Sequence, residues 1–296
     1  MKNSISYSLT ACSTALVLAL TVSAVNAADQ SPRKRDNLSE PLMRVAKATA
    51  PNPTAHPLDP ALDLAREGLA TIQATVNDYT CTVVKRERID GELMDYQYMF
   101  VKVRNRKVEN NRIVQPFSVY MYFLKPTDVK GRECIYVEGR NDGKLVAHEG
   151  GMAGRLLPTV WLRPTSMLAM RNQRYPITEL GIENLVDKLI ERGEMDRAAG
   201  NRGCEVTFSE NAKINGRVCT LLQIKNPAPS PALDFHLAQI FVDDELNVPI
   251  RYAAYDFPTT PGGKPQVIEE YTYLNIKLNV GLTDKDFDHN NSDYNF

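Results

Sequence analysis

The sequence lacks the motifs by which most enzymes are recognised. It contains no glycine-rich phosphate loop, no dinucleotide fingerprint, no nucleophile-elbow serine and no two-histidine zinc helix. Only four histidines occur in 296 residues, so a Ser-His-Asp triad or a histidine-rich metal site has few candidate residues. We therefore expect a protein without a catalytic site, a bound metal or a cofactor.

An excess of charge of one sign is also missing. The formal net charge is −1, which excludes the basic footprint typical of nucleic-acid binding. Asp284, Asp286 and Asp288 match the first half of a calcium loop, but His289 stands where that loop needs glycine and Asn295 where it needs glutamate. These aspartates therefore do not predict a calcium site.

The charged residues inside the predicted strands offer few site candidates. Glu269 and Glu270 adjoin on one strand and so point to opposite faces, which is the wrong geometry for shared acid–base chemistry. Along the first strand, residues 85–88 carry charges of both signs, a pattern typical of a solvated face. The alternative is that Arg86 or Arg88 is buried and contacts the head group of a ligand.

The N-terminus has the pattern of a cleavable secretory signal peptide. Lys2 supplies a positive charge, residues 11–25 are uncharged and rich in Ala, Leu, Val and Thr, and small residues precede a predicted cut after Ala27. The apolar part is short for a membrane anchor, which is the alternative, and no other segment is long enough to span a bilayer. We predict a periplasmic or secreted protein with a signal peptide at 1–27, a flexible leader at 28–57 and one domain at 58–296.

Cysteine is scarce but present in an even number after this cleavage. Export permits disulfides, and four cysteines allow two of them in three connectivities, while buried free thiols are the alternative. If Asn215-Gly216 is a tight hairpin turn, Cys219 faces Ala212 instead of Cys204. The candidate disulfide cysteines are Cys81, Cys134, Cys204 and Cys219.

The hydrophobic pattern predicts mainly β-strands with two amphipathic helices. One helix is predicted to begin after Asp59 as its N-cap, with apolar residues that recur at helical spacing up to Val76, and a second follows Thr178 as its cap. Residues 150–175 are apolar without clean periodicity and, with the second helix, resemble a helical lid inserted in a sheet. Strands are predicted at 79–89, 96–104, 117–124, 134–138, 144–148, 204–208, 217–224, 237–242, 249–257 and 267–278.

Strands with one apolar face and two amphipathic helices predict an α+β, mainly antiparallel fold. We expect a strongly curved, unclosed β-barrel, or half-barrel, with the helices covering its concave face. The helices either fill the concavity or leave a lipid-sized cleft. The residues predicted to line such a cleft are Phe117, Val119, Met121, Phe123, Trp161, Leu162, Met167, Ile276 and Leu278, each of which also suits an ordinary core.

Several segments carry a family resemblance. Residues 241–252 (FVDDELNVPIRY) and 271–279 (YTYLNIKLN) resemble the C-terminal hairpins of LolA/LolB-like periplasmic lipoprotein carriers. Residues 79–88 (YTCTVVKRER) and 116–121 (PFSVYM) resemble a bacterial secreted family catalogued only as a domain of unknown function. The carrier resemblance implies an unclosed β-barrel with helices at its mouth and an interior that holds acyl chains. The resemblance assigns no position of this chain to the ligand-contacting arginine of the carriers.

These patterns lead to one main functional hypothesis and two alternatives. The main hypothesis is a non-enzymatic periplasmic binding protein whose partner is a lipid, a lipoprotein acyl chain or another apolar ligand. The first alternative is an envelope protein-interaction or sensor module that receives a protein segment at an exposed edge strand. The second is a hydrolytic enzyme. None of the three requires a nucleic acid or a transmembrane segment after signal cleavage.

Overall fold

A computed structural model of the protein describes residues 55–296 except for 155, 201 and 231–232. The predicted signal peptide, with its cut after Ala27, and nearly all of the predicted leader lie outside the described residues. None of the helices in the described ranges is both long enough and apolar enough to span a membrane. The boundaries 1–27, 28–57 and 58–296 therefore stay predictions.

The described residues form two long helices and a large antiparallel sheet. The helices are α1 Asp59–Thr75, the short α2 Gly151–Gly154 and α3 Ile182–Ala198. The strands are β1 Asp78–Ile89, β2 Glu92–Leu93, β3 Gln97–Arg104, β4 Lys107–Glu109, β5 Arg112–Gln115, β6 Ser118–Lys125, β7 Glu133–Val137, β8 Leu145–His148, β9 Val160–Leu162, β10 Glu205–Ile214, β11 Arg217–Lys225, β12 Leu237–Asp243, β13 Val248–Asp256 and β14 Gln266–Leu278.

The sheet is a single path that does not close on itself. Its strand order is β10-β11-β12-β13-β14-β1-β3-β6-β7-β8-β9, with β2 beside β1 and the β4–β5 hairpin apart from it. The central pairing joins β1 to β14, so the last strand of the chain lies beside the first. Because β9 and β10 end the path, the prediction of a mainly antiparallel, unclosed sheet with two long helices is confirmed.

Strand alternation sorts the side chains of β6 onto the two faces of the sheet. Met121 and Phe123 belong to the main core, together with Ile72 of α1 and Ile182 of α3. Tyr120 belongs to a second cluster formed with the C-terminal segment of the chain. Since successive strand residues point to opposite faces, both long helices pack on the Met121 side, as the alternation in the sequence predicts.

The start of α3 differs from its predicted cap. Thr178 lies in a 3-10 helix, Ile177–Glu179, and the N-cap of α3 is Gly181. Gly181 has φ 119°, a conformation that glycine adopts without steric cost. The first amide of α3, on Ile182, donates to the hydroxyl of Tyr79 at 2.9 Å. The cap prediction was wrong because a buried side chain from another element takes the place of a local cap.

Within the described residues, the sequence prediction lacked the β4–β5 hairpin and several short elements. The β4–β5 hairpin turns at Asn110 and Asn111, which both have positive φ, the backbone conformation that a type I′ hairpin turn requires at both central residues. The segment predicted as part of a helical lid contains the four-residue α2 and the short strand β9, which pairs with β8. Its irregular apolar pattern reflects this mixture of short elements.

The four described cysteines are free thiols. The structure therefore contains no disulfide among these cysteines, in line with the alternative of free thiols. Cys219 lies opposite Ala212 in the β10–β11 hairpin, which confirms the pairing deduced from the Asn215-Gly216 turn. Burial raises the pKa of the Cys134 thiol to about 12 and that of Cys219 to about 11, so both stay protonated at neutral pH.

Candidate functional site

A cavity of about 1220 Å³ lies between the sheet and the two long helices. This volume exceeds the roughly 300–1,000 Å³ typical of pockets for small ligands. Residues 157–176, between β8 and α3, form a further part of its wall. The apolar lining includes Leu62 of α1, Leu185 and Leu189 of α3, and Met99, Met121, Phe123, Leu145, Leu222 and Ile240 of the sheet.

The structure places three of the nine predicted lining residues at this cavity: Met121, Phe123 and Leu162. Phe117, Ile276 and Leu278 instead pack against the main core, Val119 is completely buried, and Trp161 and Met167 are exposed. Val119 pairs with Val103, over which Gly181 lies closely. The start of α3 therefore covers this part of the sheet, and the cavity lies farther along β6.

Neither arginine proposed for a ligand head group lines the cavity. The Arg86 side chain donates to the Met94 carbonyl at 3.2 Å and lies over the Tyr96 ring. The Arg88 side chain donates to the carbonyls of Val267 at 2.9 Å and Gly91 at 2.8 Å. Alternation along β1 puts these two guanidinium groups on the face away from the cavity, where they hold the turn after β1.

The same alternation places Lys85 and Glu87 on the cavity side of β1. Both are buried and both line the cavity. The Lys85 ammonium donates to Glu87 Oε2 at 2.9 Å and also bonds the side-chain oxygen of Gln173. The Tyr271 hydroxyl donates to Glu87 Oε1 at 2.5 Å. A charged pair therefore lies within the wall of an otherwise largely apolar cavity.

A second buried carboxylate, Glu269 of β14, lies directly opposite Glu87 in the sheet. Arg174 Nε donates to its Oε2 at 2.9 Å, and the Tyr175 hydroxyl donates to its Oε1 at 3.1 Å. The backbone amide of Arg174 also donates to Glu87 Oε2 at 3.3 Å. We name Lys85, Glu87, Arg174, Tyr175, Glu269 and Tyr271 the polar cluster, and it ties residues 173–175 to β1 and β14.

Burial sets the electrostatics of the polar cluster. It raises the pKa of Glu269, with the negative charge of Glu87 acting in the same direction and the Arg174 guanidinium opposing it. Burial also lowers the pKa of Lys85, although Glu87 opposes this shift. The pKa of Tyr271 is raised well above its ordinary value by burial. The tyrosine therefore stays a hydrogen-bond donor at neutral pH, and Glu269 takes up a proton at a higher pH than an ordinary glutamate.

Replacement of Glu269 by glutamine is expected to change how stability depends on pH. The folded-state pKa of Glu269 lies above its value in the unfolded chain, so its stabilising contribution is present at low pH and is lost as pH rises through the folded pKa. The free energy of unfolding of wild type minus that of Glu269→Gln should therefore fall as the pH rises above about 4, the pKa of a glutamate in an unfolded chain. Urea denaturation at stepped pH measures this difference, and a constant or rising difference would contradict the assignment.

One family model matches most of the chain. It is described as "Protein of unknown function (DUF1571)" and matches residues 76–296. This range covers β1 to the C-terminus and thus the strands that carry the polar cluster. No curated protein matches the sequence.

Several solved structures are similar to this chain at low sequence identity. A DUF1329 family protein from Desulfovibrio piger is 13% identical with a TM-score of 0.37, over 79% of this chain and 98% of that one. LppX, a lipoprotein from Mycobacterium tuberculosis, is 14% identical with a TM-score of 0.39, over 76% and 98%. A LolA superfamily protein from Nitrosomonas europaea is 11% identical with a TM-score of 0.29, over 76% and 97%. At these TM-scores, the similarities do not establish a ligand or a partner.

Proposed function

This chain belongs to the DUF1571 family of proteins of unknown function, and we propose that it is a non-enzymatic binding protein for a lipid, a lipoprotein acyl chain or another apolar ligand. The observation that supports the proposal is the cavity of about 1220 Å³ between the sheet and the long helices. Apolar side chains from both layers line it, so an apolar molecule would lose its contact with water there. We further propose that the sheet is strongly curved and that the helices cover its concave face.

The polar cluster favours binding over catalysis. A carboxylate that acts as a general base must have an oxygen free to meet the substrate proton. The oxygens of Glu87 already accept from Lys85, Tyr271 and the Arg174 amide. Those of Glu269 accept from Arg174 and Tyr175. We therefore assign the cluster to holding the cavity wall and to bounding the polar end of an amphipathic ligand.

The location proposed for this function is the bacterial envelope. It depends on the predicted signal peptide with its cut after Ala27, since export would take the protein to the periplasm or beyond. A periplasmic protein meets lipids that are in transit between membranes, and an apolar cavity suits that role. N-terminal sequencing of the protein purified from a native bacterial culture tests the location, and an uncut chain would contradict it.

The proposed function has a direct test in the composition of the purified protein. Native mass spectrometry after gentle extraction should show a mass excess that disappears after denaturing extraction, and the released material should be lipid. A fluorescent lipophilic dye should bind the delipidated protein and be displaced by the same lipid. The absence of both a co-purifying lipid and dye displacement would overturn the proposal.

Filling the cavity should weaken dye binding. Ala147 of β8 lines the cavity and is incompletely buried, so a tryptophan there would project into the open space. We expect Ala147→Trp to raise the dye dissociation constant by about tenfold, equivalent to about 1.4 kcal/mol. Ala74→Trp, an exposed position on α1, is the matched control and should leave the constant unchanged. Equal dissociation constants for Ala147→Trp and wild type would place the dye outside this cavity.

The alternative of a protein-interaction module has one structural feature in its favour. β10 is an end strand of the sheet, and an incoming protein segment can pair with a free edge. The same strand has a register shift between Ser209 and Ala212 and the exposed charged residues Glu210 and Lys213. Bulges and charges of this kind oppose edge pairing, so we prefer lipid binding as the function.

A further inference from the structure

The segment between β8 and α3 exposes several large apolar side chains. We propose that residues 152–154 and 156–171 form a docking surface for an anionic lipid membrane and bring the cavity mouth to that membrane. The inference rests on the proposed function, because it gives the apolar cavity a route by which its ligand enters and leaves. It adds a partner and a surface that the cavity alone does not specify.

The exposure of this segment is unusual for a folded protein. Met152, Leu156 and Met167 are 82%, 84% and 92% exposed, and Leu157, Trp161 and Leu168 are exposed as well. Scattered single apolar residues on a surface need no explanation, but a concentration of them marks a membrane or protein contact. Leucine and tryptophan are residues that insert at the boundary between head groups and acyl chains.

The charge of the segment identifies the kind of partner. Residues 152–171 contain three arginines and no aspartate or glutamate, although the whole chain has nearly equal numbers of acidic and basic residues. Arg163 and Arg171 are exposed. Exposed apolar side chains interspersed with basic ones are the pattern of interfacial membrane segments, which combine apolar insertion with attraction to anionic lipids. An anionic lipid surface therefore complements this segment in both charge and polarity.

The docking surface is continuous with the entrance of the cavity. Leu157, Leu168 and Arg171 are exposed and also belong to the cavity lining. Residues that both line a cavity and contact solvent mark an opening of that cavity, and we call this opening the mouth. A membrane bound by the surrounding apolar residues would therefore lie against this mouth, and a lipid could pass between the two without crossing open water.

Vesicle flotation tests the docking surface with defined lipids. The purified protein should float with vesicles of phosphatidylcholine containing phosphatidylglycerol and not with vesicles of phosphatidylcholine alone. Met152→Ser combined with Leu156→Ser should lower the vesicle partition coefficient more than about tenfold. Arg163→Gln should lower it about fivefold, and added salt should weaken the binding of the wild type.

Matched variants on another exposed apolar surface serve as controls. Ile113→Ser with Val114→Ser, and separately Arg112→Gln, change the exposed β4–β5 hairpin and should leave flotation unchanged. Equal binding to both kinds of vesicle, no binding, or the same loss in the controls would overturn the docking inference. Met152 and Leu156 do not line the cavity, so dye affinity should survive their substitution. Dye binding without flotation refutes the docking surface alone, whereas flotation without dye binding refutes the proposed function alone.

Discussion

Replacement of Lys85 by methionine is expected to lower the free energy of unfolding by about 3–5 kcal/mol. Lys85 and Glu87 are an ion pair in which the two side chains are only 9% and 4% exposed. Methionine fills much of the same space but removes the positive charge, so Glu87 would keep a negative charge inside the wall with Glu269 opposite it. The uncompensated charge, more than the lost contact, causes the loss of stability.

Urea denaturation of a short series of variants separates this effect from general damage. Lys85→Met combined with Glu87→Gln removes both charges and should recover part of the stability lost in the single variant. Lys188→Met is the control, because Lys188 forms its ion pairs with Glu179 and Glu191 at an exposed position. Its loss should be below about 0.5 kcal/mol. A Lys85→Met variant as stable as the control would show that Glu87 does not carry a buried charge.

The strands were predictable because their pattern is local. In β6, the alternation of Met121 and Phe123 with Tyr120 and Tyr122 is visible in the sequence, and the structure sorts these residues onto two faces. The turn residues and the alternation require no knowledge of distant partners. Which of these apolar residues reach the cavity depends on the position of α3, because the helix packs against one part of the sheet and leaves another part uncovered.

The polar cluster could not be predicted because it depends on the pairing register of two strands that are far apart in the sequence. The mixed charges of β1 suggested a solvated face, but Lys85 and Glu87 lie on the side that the helices and residues 157–176 cover. Their meeting with Glu269 depends on the pairing of the first strand with the last. Glu269 and Glu270 do point to opposite faces, as predicted, and the partner of Glu269 is on the adjacent strand. The sequence signal for the cluster is the presence of charged residues within two strands, β1 and β14, that lie at the centre of the sheet.

The start of α3 is another feature that depends on a distant residue. Tyr79 of β1 is completely buried, and its hydroxyl accepts the Ile182 amide, the first of α3, at 2.9 Å. Tyr79→Phe should leave this donor unpaired and cost about 1–3 kcal/mol of unfolding free energy. Tyr79→Ala also removes the ring from the core, and its cost should reach about 3–5 kcal/mol.

Hydrogen exchange distinguishes the lost cap from the lost packing in these variants. In Tyr79→Phe, the Ile182 amide should exchange faster with solvent while amides in the central strands exchange as in the wild type, when both proteins are compared under strongly stabilising conditions. Tyr136→Phe is the matched control, because Tyr136 is only partly buried and its hydroxyl has no hydrogen-bond partner among the described residues. Unchanged exchange at Ile182 in Tyr79→Phe would refute the capping role. Leu185 and Leu189 of α3 line the cavity. The Tyr79→Phe variant, in which the start of α3 is less firmly held, should therefore also bind the lipophilic dye less tightly.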